Sequence, residues 1–146
     1  MKLILTLGLL TFSTLSFAND NDPTIEELKA LPKAAVYQLS LTDAKPHAYA
    51  VYDFGKAPIG SKTVVEYQIT NNTSSPLEFI RGIRTSKNHI KGDHTCNNGP
   101  IAVGAGCTLY FYHAPKRWGS HSGKGIIEFS QYRTVTVQGY GKGRFN

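Results

Sequence analysis

The hydrophobic and polar positions of this chain follow a period of two over most of its length. From about Ala35 onward, short alternating stretches are separated by Gly, Pro and Asn, which is typical of β-strands joined by turns. The clearest stretch runs from Lys62 to Thr70, where Val65, Tyr67 and Ile69 share one face and mostly polar residues share the other. This alternation predicts a strand with one buried face.

Six further segments show the same alternation or a short apolar run. They are residues 35–41, 48–54, 77–84, 107–113, 125–130 and 133–138, of which the last two form a predicted hairpin. Gly139 and Gly141 are then expected to let the last strand end in a bend. Since no helical period occurs after Lys33, the sequence predicts an all-β fold, either an antiparallel β-sandwich or a small barrel.

A lead segment, residues 19–47, precedes the sandwich domain that we place at residues 48–146. Asp22 suits a helix N-cap and Pro23 suits the first helical position. A thin apolar stripe follows, formed by Ile25, Leu28 and Leu31. The segment therefore predicts a short helix with an edge strand after it, and the alternative is a disordered tether.

Residues 1–18 have the three parts of a secretory signal peptide. A basic start at Lys2 is followed by an almost unbroken apolar run over residues 3–12, and Ser16 and Ala18 are small residues at the −3 and −1 positions of a cleavage site. A transmembrane anchor is the alternative, but the apolar run is shorter than the roughly 20 residues that span a bilayer. We therefore expect cleavage after Ala18, a periplasmic or secreted protein, and no membrane-spanning segment after cleavage.

The composition makes the chain basic, with 16 Lys and Arg against 10 Asp and Glu and a formal net charge of +6. The cations are spread along the mature chain, which is typical of a solvated surface. The alternative is a face that binds an anionic glycan, a cell-wall polymer or a phospholipid headgroup. Nucleic acid is not an expected partner, because an exported protein rarely meets it.

Two cysteines, Cys96 and Cys107, remain after removal of the signal peptide. An even pair in an exported chain predicts a disulfide bond, because thiols oxidise in the periplasm and outside the cell. Half of a metal site is the alternative, but the pair lacks the Cys-x-x-Cys spacing of zinc ligands.

Several short motifs resemble a known domain family when they are taken in order. They are Asp53-Phe54-Gly55, Pro58-Ile59-Gly60, Thr70-Asn71-Asn72, Gly104-Ala105-Gly106-Cys107-Thr108-Leu109 and Val137-Gln138-Gly139-Tyr140-Gly141. Their order is similar to that of the ASPM/SPD-2/Hydin (ASH) immunoglobulin-like domains, including the bacterial choice-of-anchor D and HYDIN/VesB/CFA65-like types.

The resemblance implies an immunoglobulin-like antiparallel β-sandwich. In bacterial relatives, a cysteine before a late strand commonly pairs with one upstream, and Cys107 and Cys96 occupy similar places here. Where family members usually have Phe before a proline, this chain has His113 followed by Ala114 and Pro115.

The histidines are the candidates for metal binding or proton transfer. They are His47, His89, His94, His113 and His121. None lies in a His-Glu-x-x-His motif or another recognised ligand spacing, and Ser120-His121-Ser122 is too local for a catalytic triad. We therefore expect no enzyme activity, no catalytic residue, no metal and no cofactor. A metal-dependent hydrolase that uses His94, His113 and His121 is the least favoured hypothesis.

A candidate binding surface combines aromatic and basic side chains. Its residues are Tyr110, Tyr112, Lys116, Arg117 and Trp118. Exposed aromatic residues beside Arg and Lys are enriched at protein interfaces and can stack on sugars. Alternatively, the two tyrosines cover the second face of the sandwich or pack against the N-terminal segment.

Together these features predict an exported, non-enzymatic immunoglobulin-like interaction module of the bacterial cell envelope. Its expected partner is a protein, or a glycan or lipid component of the envelope. The alternative is an inhibitor or accessory subunit that docks an acidic protein through its basic loops. The sequence makes no prediction of the oligomeric state.

Overall fold

The structure is a computed structural model that describes residues 22–84 and 89–145. Within these residues, a helix precedes eight strands. The elements are α1 (Ile25–Ala30), β1 (Lys33–Thr42), β2 (His47–Pro58), β3 (Thr63–Asn72), β4 (Phe79–Arg84), β5 (Ile90–His94), β6 (Gly106–His113), β7 (Gly119–Phe129) and β8 (Arg133–Arg144). The predicted signal peptide, residues 1–18, lies outside the described residues.

The strands form two four-stranded sheets that pack as a sandwich, which confirms the predicted fold. The first sheet has the order β1-β3-β6-β5 and the second has the order β2-β8-β7-β4. The sheets are mixed, because β1 pairs with β3 and β2 pairs with β8 in parallel, whereas all other pairs are antiparallel. Within each sheet, the odd-numbered strands run in one direction and the even-numbered strands in the other, so β1 with β3, and β2 with β8, are parallel neighbours. A wholly antiparallel sandwich was therefore wrong for these two edge pairs.

The inward-facing side chains of both sheets fill the interior between them, as the alternation of apolar and polar residues along each strand predicts. Most of the buried core comes from these side chains: Leu41, Phe54, Val65, Tyr67, Ile69, Leu77, Leu109, Phe111, Ile127, Phe129, Val135 and Val137. The predicted strand at residues 62–70 is confirmed as β3, whose two neighbours cover it on both edges.

The last strand departs from its prediction, since β8 continues through Gly139 and Gly141 to Arg144. The structure shows another reason for these glycines. A Cβ on Gly139 would lie 2.7 Å from a ring carbon of Phe111, and one on Gly141 would lie 2.8 Å from the ring of His113. The glycines therefore admit rings from the opposite sheet rather than ending the strand in a bend.

The predicted short helix is present, but it begins later than expected. Thr24, not Asp22, is the N-cap, because its hydroxyl accepts a hydrogen bond from the backbone N–H of Glu27 while the Glu27 carboxylate accepts one from the backbone N–H of Thr24. This reciprocal capping box fixes the first turn. Leu28 of α1 is fully buried against the first sheet.

The predicted disulfide is present and joins Cys96, just after β5, to Cys107 at the start of β6. Both cysteines are buried at one end of the core. Among the described residues, none of the helical segments is long and apolar enough to span a bilayer.

Candidate interaction surface

The two tyrosines of the predicted surface lie beneath α1. Tyr110 and Tyr112 face outward from the first sheet, yet they are only 5% and 3% exposed because they pack with Leu28 of the helix and Val64 of β3. Burial raises the pKa of Tyr110. The structure thus contradicts the exposed placement predicted for this pair. It agrees with the alternative that they pack against the N-terminal segment.

The other three predicted residues are exposed in the loop between β6 and β7. Lys116, Arg117 and Trp118 all face solvent, and Trp118 is 68% exposed. At that exposure the indole presents a large apolar area to solvent beside two basic side chains. The predicted set of five is therefore divided between a covered face and an open loop.

The loop is held in place through its backbone. The Pro115 carbonyl accepts a hydrogen bond from the N–H of Gly60 at 3.0 Å, and the N–H of Lys116 donates to Nδ1 of His89 at 3.1 Å. A Cβ on Gly143 would lie 2.2 Å from the Arg117 carbonyl oxygen, so the loop packs directly on β8 at that glycine. The backbone is fixed while the side chain of Trp118 stays in solvent.

The outer face of the second sheet adds residues that the sequence reasoning missed. Tyr140, Lys142 and Arg144 are exposed at alternating positions of β8, and Lys56 pairs with Lys142 from β2. Phe145 follows at 72% exposure. We call the exposed residues of this face and of the adjoining loop the basic aromatic surface; its members are Lys56, Tyr140, Lys142, Arg144 and Phe145, with Lys116, Arg117 and Trp118 from the loop at the same end of the sheet. The missed signal was the alternation of β8 beyond Gln138.

Strand pairing brings these residues to one end of the second sheet. Gly119, directly after Trp118, pairs with Gly143, and Ser122 pairs with Tyr140. Among the strand positions paired with residues 140–144, the acidic residue is Asp53, opposite Tyr140. Positive side chains therefore outnumber acidic ones across this end of the sheet.

A hydrogen-bonded row orders part of this face. The side-chain amide of Gln138 donates to the Tyr140 hydroxyl at 2.7 Å, and its carbonyl accepts a hydrogen bond from the Tyr49 hydroxyl at 2.8 Å. Both tyrosines remain exposed, at 60% for Tyr49 and 44% for Tyr140. Such ordered aromatic side chains lose little conformational freedom when a partner binds.

Three histidines meet behind the loop, between the two sheets. His113 is fully buried on β6, and its Nε2 lies 3.1 Å from Nδ1 of His121 on β7. The ring of His89 stacks on that of His121, with centroids 3.8 Å apart. His113 takes the core position where the resemblance led us to expect Phe. The histidine cluster, as we call these three residues, connects the core to the loop through the hydrogen bond between Lys116 and His89.

The histidine cluster is neutral at physiological pH. Burial, together with the neighbouring His121 and His89, lowers the pKa of His113 to about 4. Burial also lowers the pKa of His89 and of His121, assisted for both by the positive charge of Arg117. Within the described part of the chain, each of these three histidines has one ring nitrogen that is buried without a hydrogen-bond partner.

The histidines do not assemble as the hydrolase hypothesis required. His94 pairs with Leu109, four positions along β6 from His113, and its ring packs against Phe79. Among residues 22–84 and 89–145, no group of three or more His, Cys, Asp and Glu side chains is arranged to hold a metal ion. The trio of His94, His113 and His121 is therefore corrected to a cluster of His89, His113 and His121.

Comparison with known proteins supports the resemblance inferred from the motifs. The sequence profile of the HYDIN/CFA65/VesB-like Ig-like domain matches residues 47–142. An ASH/PapD-like domain of human CEP192 has a TM-score of 0.54 and 9% identity, over 66% of this chain and 82% of that one. At this identity the likeness shows the fold alone. The predicted similarity to ASH and HYDIN/VesB/CFA65-like domains is confirmed.

Regions of two proteases from Vibrio cholerae are similar to this chain. The secreted serine protease VesC from Vibrio cholerae has a TM-score of 0.48 and 20% identity over 62% of this chain, and VesB from the same organism has 0.48 and 15% over 63%. This chain spans 21% of the VesC chain and 30% of the VesB chain. None of the curated proteins compared with the chain matches it.

Proposed function

The chain belongs to the HYDIN/CFA65/VesB-like family of immunoglobulin-like domains, and on this premise we propose that it is an exported interaction module that binds an acidic segment of a protein partner. The observation that carries the proposal is Trp118, which is largely exposed on a backbone-fixed loop among basic residues. The module has no catalytic role in this proposal, and the basic aromatic surface is its binding face.

Export is supported by two features of the chain. The signal-like pattern of residues 1–18 predicts secretion, and the disulfide between Cys96 and Cys107 is of the kind that persists in oxidising compartments. We therefore place the mature protein in the periplasm or outside the cell, where its partner belongs to the envelope.

The chemistry of the surface favours an acidic protein over other envelope components. Trp, Tyr and Arg are the residue types most enriched among interface residues that contribute strongly to binding. Arg117 and Arg144 can form paired hydrogen bonds with carboxylates, and Lys56 and Lys142 add attraction that accelerates association. A partner that offers Asp and Glu around an apolar side chain matches both parts of the surface.

Site-specific crosslinking in the native cell tests this proposal. A photo-reactive amino acid replaces Trp118 in one variant and Tyr132 in the control. Tyr132 is 93% exposed in the turn between β7 and β8, at the opposite end of those strands. We expect one discrete protein adduct from position 118 and none from position 132, and sequencing of the crosslinked peptide should return an acidic segment.

Other outcomes of the same experiment decide against the proposal. Equal labelling from positions 118 and 132 would show non-specific contact. An adduct from position 118 that contains glycan or lipid instead of peptide would replace the protein partner with that envelope component, and the absence of any adduct from position 118 would remove the loop from the binding face.

A further inference from the structure

The first sheet ends in an edge at β5, which pairs with β6 on one side only. In the order β1-β3-β6-β5, no strand of the described residues lies beyond β5. An edge strand presents a row of backbone N–H and C=O groups with which another chain can pair. A further strand can therefore add to the first sheet at β5.

The hydrogen bonds at the two ends of the β5–β6 ladder decide which residues face the open side. The N–H of Ala114 donates to the carbonyl of His89 at 2.8 Å, and the N–H of Thr95 donates to the carbonyl of Thr108 at 3.0 Å. Because hydrogen-bonded pairs alternate along an antiparallel ladder, the odd-numbered residues of this stretch bond to β6. The residues between them direct their N–H and C=O groups away from β6; they are Ile90, Gly92 and His94.

The charges of β5 are arranged symmetrically about Gly92, since Lys91 precedes it and Asp93 follows it. Lys91 pairs with Tyr112 and Asp93 with Tyr110, so both charged side chains belong to the outer face of the sheet. When a second β5 runs antiparallel with Gly92 opposite Gly92, Lys91 of each copy lies opposite Asp93 of the other. Opposite charges at such directly opposed positions stabilise a strand pair.

The backbone requires the same register as the charges. With Gly92 opposite Gly92, the two glycines exchange a pair of N–H to C=O hydrogen bonds, and Ile90 of each copy pairs with His94 of the other. The N–H of His94 now donates to the Asp93 carboxylate at 2.9 Å. In the strand pair this N–H would turn to the carbonyl of the second Ile90, and the carboxylate would turn to the second Lys91.

The existing contact of Lys91 is compatible with this arrangement. Its ammonium group lies 2.6 Å from a carboxylate oxygen of Asp22. An ammonium group has three donors, so it can bond to a further carboxylate while keeping the first. Asp93 is exposed, which leaves its carboxylate accessible to a second molecule.

We propose that this protein self-associates through β5, as a symmetric antiparallel dimer centred on Gly92 that joins the four-stranded first sheets of two copies. A two-fold axis through such a dimer makes the interface the same on both copies, as the order Lys-Gly-Asp requires. Since β5 has five residues, the contact area is small and the dimer is transient, with a dissociation constant of about 100 μM.

A dilution series of amide NMR spectra of the mature protein, from about 1 mM to about 20 μM, tests the proposal at the level of single residues. We expect the amide signals of Ile90 and Gly92 to move with concentration and their hydrogen exchange to slow in the dimer. The amide of Gln38 on β1, at the opposite edge of the same sheet, should not change. A monomer throughout this range, or concentration dependence confined to β1, would overturn the proposal.

Charge reversal tests the register. Lys91→Asp alone places two carboxylates opposite each other at each charged position, and Asp93→Lys alone places two ammonium groups there. Each single variant should therefore dimerise at least about 10-fold more weakly than the wild type. An equimolar mixture of the two variants should restore the dimer as a heterodimer, because every acidic side chain then faces a basic one.

The mixing experiment also separates loss of pairing from loss of folding. Lys91→Asp removes the contact with Asp22, so its melting temperature is measured first, whereas Asp93→Lys leaves that contact in place. Wild-type dimerisation by Asp93→Lys, or a mixture of two folded variants that stays monomeric, would contradict the assignment. Trp118→Ala should self-associate like the wild type, and its failure to do so would move the interface to the loop.

The dimer and the proposed protein interaction are therefore tested by different residues. Loss of the adduct from position 118 leaves the prediction for Gly92 unaffected, and a monomeric protein leaves the prediction for Trp118 unaffected.

Discussion

The two outer faces of the sandwich carry similar aromatic residues in opposite environments. On the first sheet, Tyr110 and Tyr112 lie under α1 and are almost fully buried. On the second sheet, Tyr49 and Tyr140 stand in solvent and are hydrogen-bonded through Gln138. In both sheets these tyrosines occupy outward positions of alternating strands. The difference is the six-residue helix that covers one face, so aromatic residues there stabilise the fold and those on the other face remain available for binding.

The largest expected effect is on the covered face. Leu28→Ala removes a fully buried side chain that packs on both tyrosines, and we expect a loss of about 3 kcal/mol in the free energy of unfolding. Chemical denaturation measures this loss. Binding of a partner at the basic aromatic surface should be unchanged under conditions where the variant remains folded. Weakened binding by that folded variant would show that the two faces are not separate in function.

The second expected effect is a loss of folding stability at low pH. It reaches the loop of Lys116, Arg117 and Trp118 through the histidine cluster. Burial holds the pKa of His113 at about 4 when folded, against an ordinary value of 6.5. The unfolded chain therefore takes up a proton at a higher pH than the folded one. The contribution of neutral His113 to the free energy of unfolding is fully present above about pH 6.5. It is lost as the pH falls toward 4, by on the order of 3 kcal/mol at most.

Fluorescence offers a local reading of this titration, because Trp118 is the single tryptophan of the chain. Protonation of His89, whose pKa burial lowers, would prevent its Nδ1 from accepting the Lys116 N–H, so acidification should change the emission of the loop before global unfolding. His113→Phe, which restores an apolar ring in the core, should flatten the pH dependence of stability. An unchanged pH profile in this variant would contradict the role given to His113.

A smaller effect concerns the cap of the covering helix. Thr24→Ala removes the side-chain half of the capping box and should destabilise the chain by about 1 kcal/mol. Thr24→Ser keeps the hydroxyl and serves as the matched control. If the alanine and serine variants unfold at the same denaturant concentration, the cap contributes nothing to the docking of α1 on Tyr110 and Tyr112.

The smallest effect on stability is expected on the open face. Tyr140→Ala removes an exposed ring and should change the free energy of unfolding by less than about 0.5 kcal/mol. The same substitution should weaken partner binding measurably, the reverse of Leu28→Ala. A marked loss of stability would show that Tyr140 belongs to the packed structure instead of the binding face.

The sequence could predict the features that depend on the local alternation of apolar and polar residues and on the compartment of the protein. The period of two located β3 and most other strands, and the even pair of cysteines predicted the bond between Cys96 and Cys107. The five-residue β5 was missed, because Gly92 and its polar neighbours interrupt the apolar pattern. Alternation also could not distinguish parallel from antiparallel neighbours, since strand order is decided by the whole chain.

The candidate site was only partly predictable for the same reason. The loop of Lys116, Arg117 and Trp118 could be found locally, because charge and an indole occur together in a turn. The burial of Tyr110 and Tyr112 depends on a helix more than 75 residues earlier in the chain. The histidine cluster likewise arises from three separate segments that only the sheet packing brings together.

The central claim is that the loop at Trp118, at the end of the second sheet where β8 carries its exposed basic residues, is where this module binds its partner. The most direct test measures the affinity of the partner captured from position 118 for the Trp118→Ala and Tyr132→Ala variants at low and high salt. We predict a loss of at least about 10-fold for Trp118→Ala, no loss for Tyr132→Ala, and binding that weakens as salt increases. Equal affinities for the two variants, independent of salt, would contradict the account.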